Sequence, residues 1–297
     1  MFELDIGTAV SWIRRKGYGT VAVQLPEGLK MDALRISDVL RDSTKAEIII
    51  LGDPCYGACD LFADYKRYAD ALVHFGHSPI HPQENDGDVL FIEVRANPDI
   101  EEYVRKAAEG LPEKVGLLAT VQYIGLLPKA KSILEGMGKE VFIGRGDGRI
   151  FHPGQVLGCN FSAAVSVSDR ADAFLYIGEG DFHPLAAAFG VKKKMIVLDP
   201  LTGEIRTVDE ARDRMLRKRF AAIESARAAE SFLVIVCTKA GQDRSAVADL
   251  MVKRITEQGK KAYTLAMNEI GPDALLPYKV DAYINTACPR IATDDSA

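Results

Sequence analysis

The segment DAFLYIGEG, Asp172–Gly180, carries the pattern that decides the fold. An Asp-Ala pair opens an unbroken apolar run, and a glycine-rich polar turn closes it. Two other segments follow the same plan, DALVHFG at Asp70–Gly76 and DAYINTAC at Asp281–Cys288. Upstream of each lie two β-rich runs separated by a helical stretch. They are TVAVQL (Thr20–Leu25) and EIIILGD (Glu47–Asp53), then KVGLLAT (Lys114–Thr120) and EVFIGRGD (Glu140–Asp147), then FLVIVCT (Phe232–Thr238) and AYTLAMNE (Ala262–Glu269). The interval between the paired runs is 27 residues (Val21 to Ile48), 26 (Val115 to Val141) and 29 (Leu233 to Ala262). Three agreements in matching places argue for three copies of one supersecondary unit. The runs are apolar throughout rather than alternating, as strands covered on both faces are, and helices between strands make the sheets parallel. The sequence therefore predicts an α/β fold of three homologous small, Rossmann-like parallel-sheet domains, at 1–94, 95–200 and 201–297. Fourth strands are expected at DVLFIEV (Asp88–Val94) and KMIVLDP (Lys194–Pro200). The third unit has no counterpart; either that strand is dispensable or the third domain is truncated.

The 297 residues are 47% hydrophobic, too apolar for a disordered chain. No apolar run approaches the roughly 18 residues of a membrane span. Lys and Arg number 37 against 42 Asp and Glu, a net charge of −5 that does not favour a nucleic-acid partner. The opening MFELDIGTAV lacks the basic start and apolar core of a signal peptide, so a cytoplasmic protein is expected. In that reducing compartment the five cysteines are buried hydrophobes, reactive thiols or metal ligands rather than disulfides. A charged helix is expected over Val208–Glu230. Its basic segment RMLRKRF (Arg214–Phe220) reads as a solvated face, with a docking patch for an acidic partner as the alternative.

Ligands of parallel sheets sit beyond the carboxyl ends of the strands. The segments there are GDPCYGACD (Gly52–Asp60), GRGDGRIFHPGQVLGCN (Gly144–Asn160), HFGHSPIH (His74–His81), GEGDFHP (Gly178–Pro184) and NTACPR (Asn285–Arg290). All five histidines are expected in these loops. Each unit also offers one loop cysteine, Cys59, Cys159 and Cys288, whereas Cys237 ends a buried strand and Cys55 is an extra. The wide separation of the three excludes a local zinc motif. Three thiolates suit a four-iron cluster with one open iron, or else they fill the core. His74, His77 and His81 could hold a divalent metal, but no cysteine or carboxylate pair stands beside them at zinc spacing, and hydrogen bonding is the simpler role. Glu179, Asp181 and His183 crowd a glycine turn. There is no P-loop, no complete G-x-G-x-x-G and no G-x-S-x-G elbow.

Read together, GDPCYGACD, VHFGHSPIH, GEGDFHPLA and ACPRIATDD resemble the diphthamide-synthesis 3-amino-3-carboxypropyltransferase family, archaeal homodimeric type. The resemblance runs from LPEGLK (Leu25–Lys30) to Asp295, with several motifs in the right order. It implies that Cys59, Cys159 and Cys288 hold a 4Fe-4S cluster at the centre of a pseudo-threefold arrangement of the domains. It implies a radical use of S-adenosylmethionine, with methylthioadenosine as by-product and a histidine of translation elongation factor 2 as acceptor. Tyr56, His77, Gln242 and Arg290 are, by their places in the loops, the candidates for holding S-adenosylmethionine. Three departures from the family pattern stand out. Cys55 is additional, GEGDFHP exchanges the acidic residues of an expected GDGEFHP, and the C-terminus comes early. Two alternatives share the repeat-and-cysteine logic: an iron–sulfur dehydratase of the quinolinate synthase kind, and a cluster-free nucleotide-binding regulatory protein.

Overall fold

The computed structural model describes residues 3–80 and 87–293. His81 and the two aspartates ending ACPRIATDD lie outside them. The chain divides into two compact units, Met1–Thr207 and Val208–Ala297.

The first unit opens with β1 (Glu3–Leu4), α1 (Ile6–Lys16), β2 (Thr20–Gln24), α2 (Ala33–Thr44), β3 (Glu47–Leu51), β4 (Ala71–Phe75), β5 (Val89–Ile92) and β6 (Val94–Arg95). It continues through α3 (Glu101–Ala108), β7 (Lys114–Ala119), α4 (Leu127–Gly136), β8 (Glu140–Phe142), α5 (Ser162–Val165), β9 (Ala173–Ile177), α6 (Phe182–Val191), β10 (Lys194–Leu198) and β11 (Ile205–Thr207). The second unit holds α7 (Asp209–Ala226), β12 (Ser231–Cys237), α8 (Ser245–Glu257), β13 (Lys261–Met267), α9 (Pro272–Leu275), β14 (Ala282–Asn285) and α10 (Arg290–Thr293).

The main sheets run β3-β2-β4-β5, β8-β7-β9-β10-β11 and β13-β12-β14. In all three the first strand is central, the second pairs on one side and the third on the other, all parallel. Strand order therefore reverses beside β2, β7 and β12, which places a crevice at the carboxyl ends of each sheet. The alanine of each Asp-Ala pair is register-matched to the first strand, Ala71 to Val21, Ala173 to Val115 and Ala282 to Phe232.

The repeated aspartate has a physical reason. Asp70 Oδ2 accepts from the backbone N–H groups of Gly19 (3.0 Å) and Thr20 (2.9 Å). Asp281 Oδ2 accepts from Glu230 N (3.1 Å), Ser231 N (2.8 Å) and Ser231 Oγ (2.8 Å). The carboxylate thus satisfies donors at the entry of the central strand, which no neighbouring strand reaches. Asp172 keeps only the shared backbone bond, its N–H donating to Lys114 O at 2.9 Å. Asp70→Ala and Asp281→Ala are therefore expected to lower the thermal midpoint by more than Asp172→Ala, read by circular dichroism melts.

Helices α1 and α2 turn Trp12, Ile13, Ile36 and Leu40 onto Val21, Val23, Val73 and Phe75. Helices α3 and α4 set Val104, Ala107, Ala130 and Leu134 against Val115, Leu117 and Leu175. In the second unit β12 is buried from Phe232 to Cys237, while edge strand β13 stays largely open. The expected charged helix is α7, and none of its residues is buried. Among the described residues, no helix is long and apolar enough to cross a membrane.

Two of the histidines expected in loops are not there: His74 is the fourth residue of β4 and is fully buried, and His183 is the second residue of α6.

Candidate functional site

After β3 the chain folds back as Gly52–Asp60, and Asp60 shapes it. Its carboxylate, 7% exposed, accepts from Tyr56 N (2.7 Å) and Gly57 N (3.1 Å). The turn this makes carries Cys59 half-buried and leaves Tyr56 exposed. Gln24, buried at the end of β2, pins the turn to the sheet. Its Nε2 donates to Asp60 O (2.7 Å), and its Oε1 accepts from Phe62 N (3.2 Å). The same Oε1 lies 3.0 Å from His74 Nδ1, and His74 Nε2 lies 2.9 Å from His77 Nδ1. Gln24 Oε1 can only accept, so His74 carries its proton on Nδ1 and accepts from His77 Nδ1–H. Sequence reasoning missed Gln24; the signal was a polar residue ending the apolar run TVAVQ.

The loop after β4 faces the second sheet of the same unit. Gln122 Nε2 donates to Gly76 O (3.2 Å), and Gln155 Nε2 to Ser78 Oγ (3.0 Å). His152 Nε2 lies 2.6 Å from Glu93 Oε1. His183, in the first turn of α6, is close enough to His77 for a charge there to oppose its protonation. Burial, the larger cause, pushes His77 and His183 down to about 4 and His74 well below its ordinary value. All three imidazoles are neutral at neutral pH. Glu179, in the glycine bend between β9 and α6, accepts from the Tyr123 hydroxyl at 2.7 Å, and Asp181 pairs with Arg206 at 2.9 Å.

Cys159 lies half-buried in the long loop between β8 and α5, on the wall of a cavity of about 510 Å³. Arg145, Asp147, Arg149, Asn160 and Ser162 line that wall too. Asn160 Nδ2 donates to Asp147 Oδ1 (2.8 Å), and Ser162 Oγ accepts from Asp147 N (2.9 Å). Burial raises the Asp147 pKa, but hydrogen bonds from Arg149 N–H and Asn160 outweigh it and hold the carboxyl below its usual range. Gly158, beside Cys159, packs under the Phe182 ring, which a Cβ would meet at 1.8 Å. Asp60 acts electrostatically on His77 and His77 on His183, and Phe182, stacked edge-on with His183, packs over Gly158 beside Cys159.

In the second unit Cys288 follows β14 and is half-buried. Asn285 Nδ2 donates to Cys288 O (3.0 Å), Asn285 Oδ1 accepts from Ala287 N (2.8 Å), and Thr286 Oγ1 donates to Ile235 O (2.7 Å). Arg290 opens α10, and Gln242 ends a short 3-10 turn after β12. Cys237 is buried among Ile235, Ile270 and Ala287. So the three candidate cysteines are each half-exposed after a strand, whereas Cys55 and Cys237 are buried.

The family model described as "Putative diphthamide synthesis protein" matches residues 25–297. The chain belongs to the diphthamide-synthesis family. This membership decides among the readings that cysteine spacing leaves open. The 2-(3-amino-3-carboxypropyl)histidine synthase of Pyrococcus horikoshii is 38% identical over 99% of this chain and 86% of its own length. The synthase of that name from Methanocaldococcus jannaschii is 28% identical over 99% and 85%. The crystal structure of Dph2 from Pyrococcus horikoshii with a 4Fe-4S cluster superposes with a TM-score of 0.90. It is 36% identical, over 99% of this chain and 87% of that one.

The buried imidazoles of this family member make its stability depend on pH. Unfolded, each titrates near 6.5; folded, His77 and His183 titrate at about 4. Between these values the unfolded chain binds more protons, so folding is favoured as pH rises. The stabilisation is complete above 6.5 and is lost as pH falls toward about 4. Melts of the metal-free chain are expected to drop steeply across that window, and His183→Phe to flatten part of the slope.

Proposed function

We propose that this chain is a 2-(3-amino-3-carboxypropyl)histidine synthase acting in the first step of diphthamide synthesis. The observation that carries the reading is the match along 99% of the chain to the Pyrococcus horikoshii synthase. The co-substrate is S-adenosylmethionine, and the acceptor is a histidine of translation elongation factor 2 in the cytoplasm. The ligands are Cys59, Cys159 and Cys288, one from each of the domains 1–94, 95–200 and 201–297 gathered around a 4Fe-4S cluster. The donor set suits that group. Cluster ligands must be deprotonated and reachable, and these three thiols are half-exposed. Cys55, by contrast, is fully buried. Such a cluster, once bound and reduced, would supply the electron for cleaving the sulfur–γ-carbon bond of S-adenosylmethionine.

The chain's own residues orient and shield. Asp60 fixes the turn of Cys59, and Asn160 fixes the loop of Cys159. The neutral imidazoles of His77 and His183 offer uncharged polar contacts near these loops, where an imidazolium would repel a sulfonium. Tyr56, His77, Gln242 and Arg290 are the residues we assign to the charged ends of S-adenosylmethionine, by their places after strands.

The deciding experiment incubates anaerobically reconstituted protein with S-adenosylmethionine and a reductant and separates the nucleosides. Methylthioadenosine, with mass added to the elongation-factor histidine, is the expected result. Deoxyadenosine, or intact co-substrate from fully clustered protein, overturns the reading.

We also propose a homodimer. Helix α7 exposes Leu216 (48%), Phe220 (66%) and Ile223 (53%) along one stripe, an apolar face that a second copy would cover. Sedimentation is expected to give a dimer for the wild type and a monomer for Phe220→Asp. The basic run beside that stripe, Arg214, Arg217 and Lys218, is the candidate contact for the elongation factor.

A further inference from the structure

Cys55 has no place in the proposed cluster, yet it is not an ordinary core thiol. Its sulfur and one ring nitrogen each of His74 and His77 lie within 4.8 Å of one another. The sequence conceals this group, because 19 residues separate Cys55 from His74. It forms only when the loop after β3 folds back over the end of β4. We propose that Cys55, His74 and His77 form a second metal site, for a borderline-soft divalent cation of the zinc type.

Thiolate and imidazole are the ligands that zinc prefers. In the hydrogen-bonded arrangement the proton between the two rings sits on His77 Nδ1, so His77 becomes a ligand only once that proton has moved to its other ring nitrogen. His74 is already oriented. Gln24 Oε1 accepts its Nδ1–H at 3.0 Å, which leaves Nε2 as the coordinating atom. A partner on the far ring nitrogen is the usual means of aiming a metal-bound histidine. Binding would replace the 2.9 Å contact between His74 Nε2 and His77 Nδ1 with two metal–nitrogen bonds. Tetrahedral zinc holds such nitrogens roughly 3.3 Å apart and the sulfur roughly 3.6 Å from each, so binding takes a rotation of His77 and a closer approach of the Cys55 sulfur.

The protons balance. The Cys55 thiol gives one proton to solvent, and the His77 ring keeps its own by shifting it from Nδ1 to Nε2. The charge balances as well. The cation and one thiolate leave a single positive charge, and the Asp60 carboxylate lies close enough to act on both Cys55 and His77. Cys55 and His74 are fully buried and His77 half-buried, so the fourth position falls to water on the His77 side. Such a site would staple Gly52–Asp60, the segment bearing Cys59, to β4.

The test uses the full chain with Cys59, Cys159 and Cys288 all changed to Ala, titrated with cobalt(II) as a spectroscopic stand-in for zinc. One cobalt per chain is expected, with sulfur-to-cobalt charge-transfer absorption. Adding Cys55→Ala should abolish that absorption and weaken binding at least about 100-fold, and His77→Ala should weaken it similarly. No charge-transfer band, or a band that survives Cys55→Ala, overturns the proposal. Should the triple variant not fold, zinc is counted in wild-type and Cys55→Ala protein. One zinc per chain lost with Cys55 supports the site, and equal zinc in both overturns it. Metal counts are read without S-adenosylmethionine cleavage, so the site and the proposed activity are tested separately; a metal-bound His77 would withdraw that one residue from the S-adenosylmethionine assignment.

Discussion

Changing any one of Cys59, Cys159 or Cys288 to Ala is expected to strip most of the iron and to lower turnover at least about 100-fold. Loss of a group that merely supports a ligand already reaches that range. The expectation rests on exposure as much as on position. The three thiols are half-exposed in loops at the carboxyl ends of strands, where a cluster can be assembled and a co-substrate can approach. Cys237→Ala removes one buried atom among Ile235, Ile270 and Ala287. It should cost about 1 kcal/mol of stability and leave iron and activity in place. Cys55→Ala should also keep the cluster iron. Anaerobic iron and sulfide counts, beside methylthioadenosine formation, read all five variants. Iron lost from Cys237→Ala but kept in Cys159→Ala would refute the ligand assignment.

The sheets were legible because their cause is local and repeated. Unbroken apolar runs at similar intervals specify parallel strands covered on both faces. The Asp-Ala pair marks the third strand of each unit because that aspartate, in two of the three, ties off the entry of the first strand. Strand ends were less legible. EVFIGRGD pairs only over Glu140–Phe142, because from Ile143 onward the chain serves the Cys159 loop. The histidines show the limit more sharply. His74 stands in an apolar run, and nothing adjacent in sequence says that its ring is held by Gln24, 50 residues away. Gln24, Asp60 and Cys55 matter through contacts that only the folded-back loop creates. Spacing arguments treat residues as neighbours along the chain, so they found one cysteine per unit and passed over Cys55 with His74 and His77.

Gly144→Ala is expected to be the most damaging single-atom change in the first unit. A Cβ there would lie 2.0 Å from the backbone oxygen of Ala163 and 2.3 Å from Ser166 Oγ. Backbone cannot rotate aside as a side chain can, so α5 would have to move. The glycine is also held from its other side, its carbonyl accepting from Gly154 N at 2.8 Å. Overpacking of this kind costs about 3 kcal/mol, which for a unit of this size lowers the melting midpoint by roughly 10 °C. Helix α5 begins two residues after Asn160, and its Ser162 and Val165 line the cavity beside Cys159. Activity should therefore fall even at temperatures where the variant is folded. Gly148, four residues on in the same loop, has nothing within 4 Å of its would-be Cβ and no left-handed backbone. Gly148→Ala should melt and turn over like the wild type. Equal melting of the two variants would mean that Gly144 does not approach α5 closely in solution, and that the Cys159 loop follows a different path over the helix.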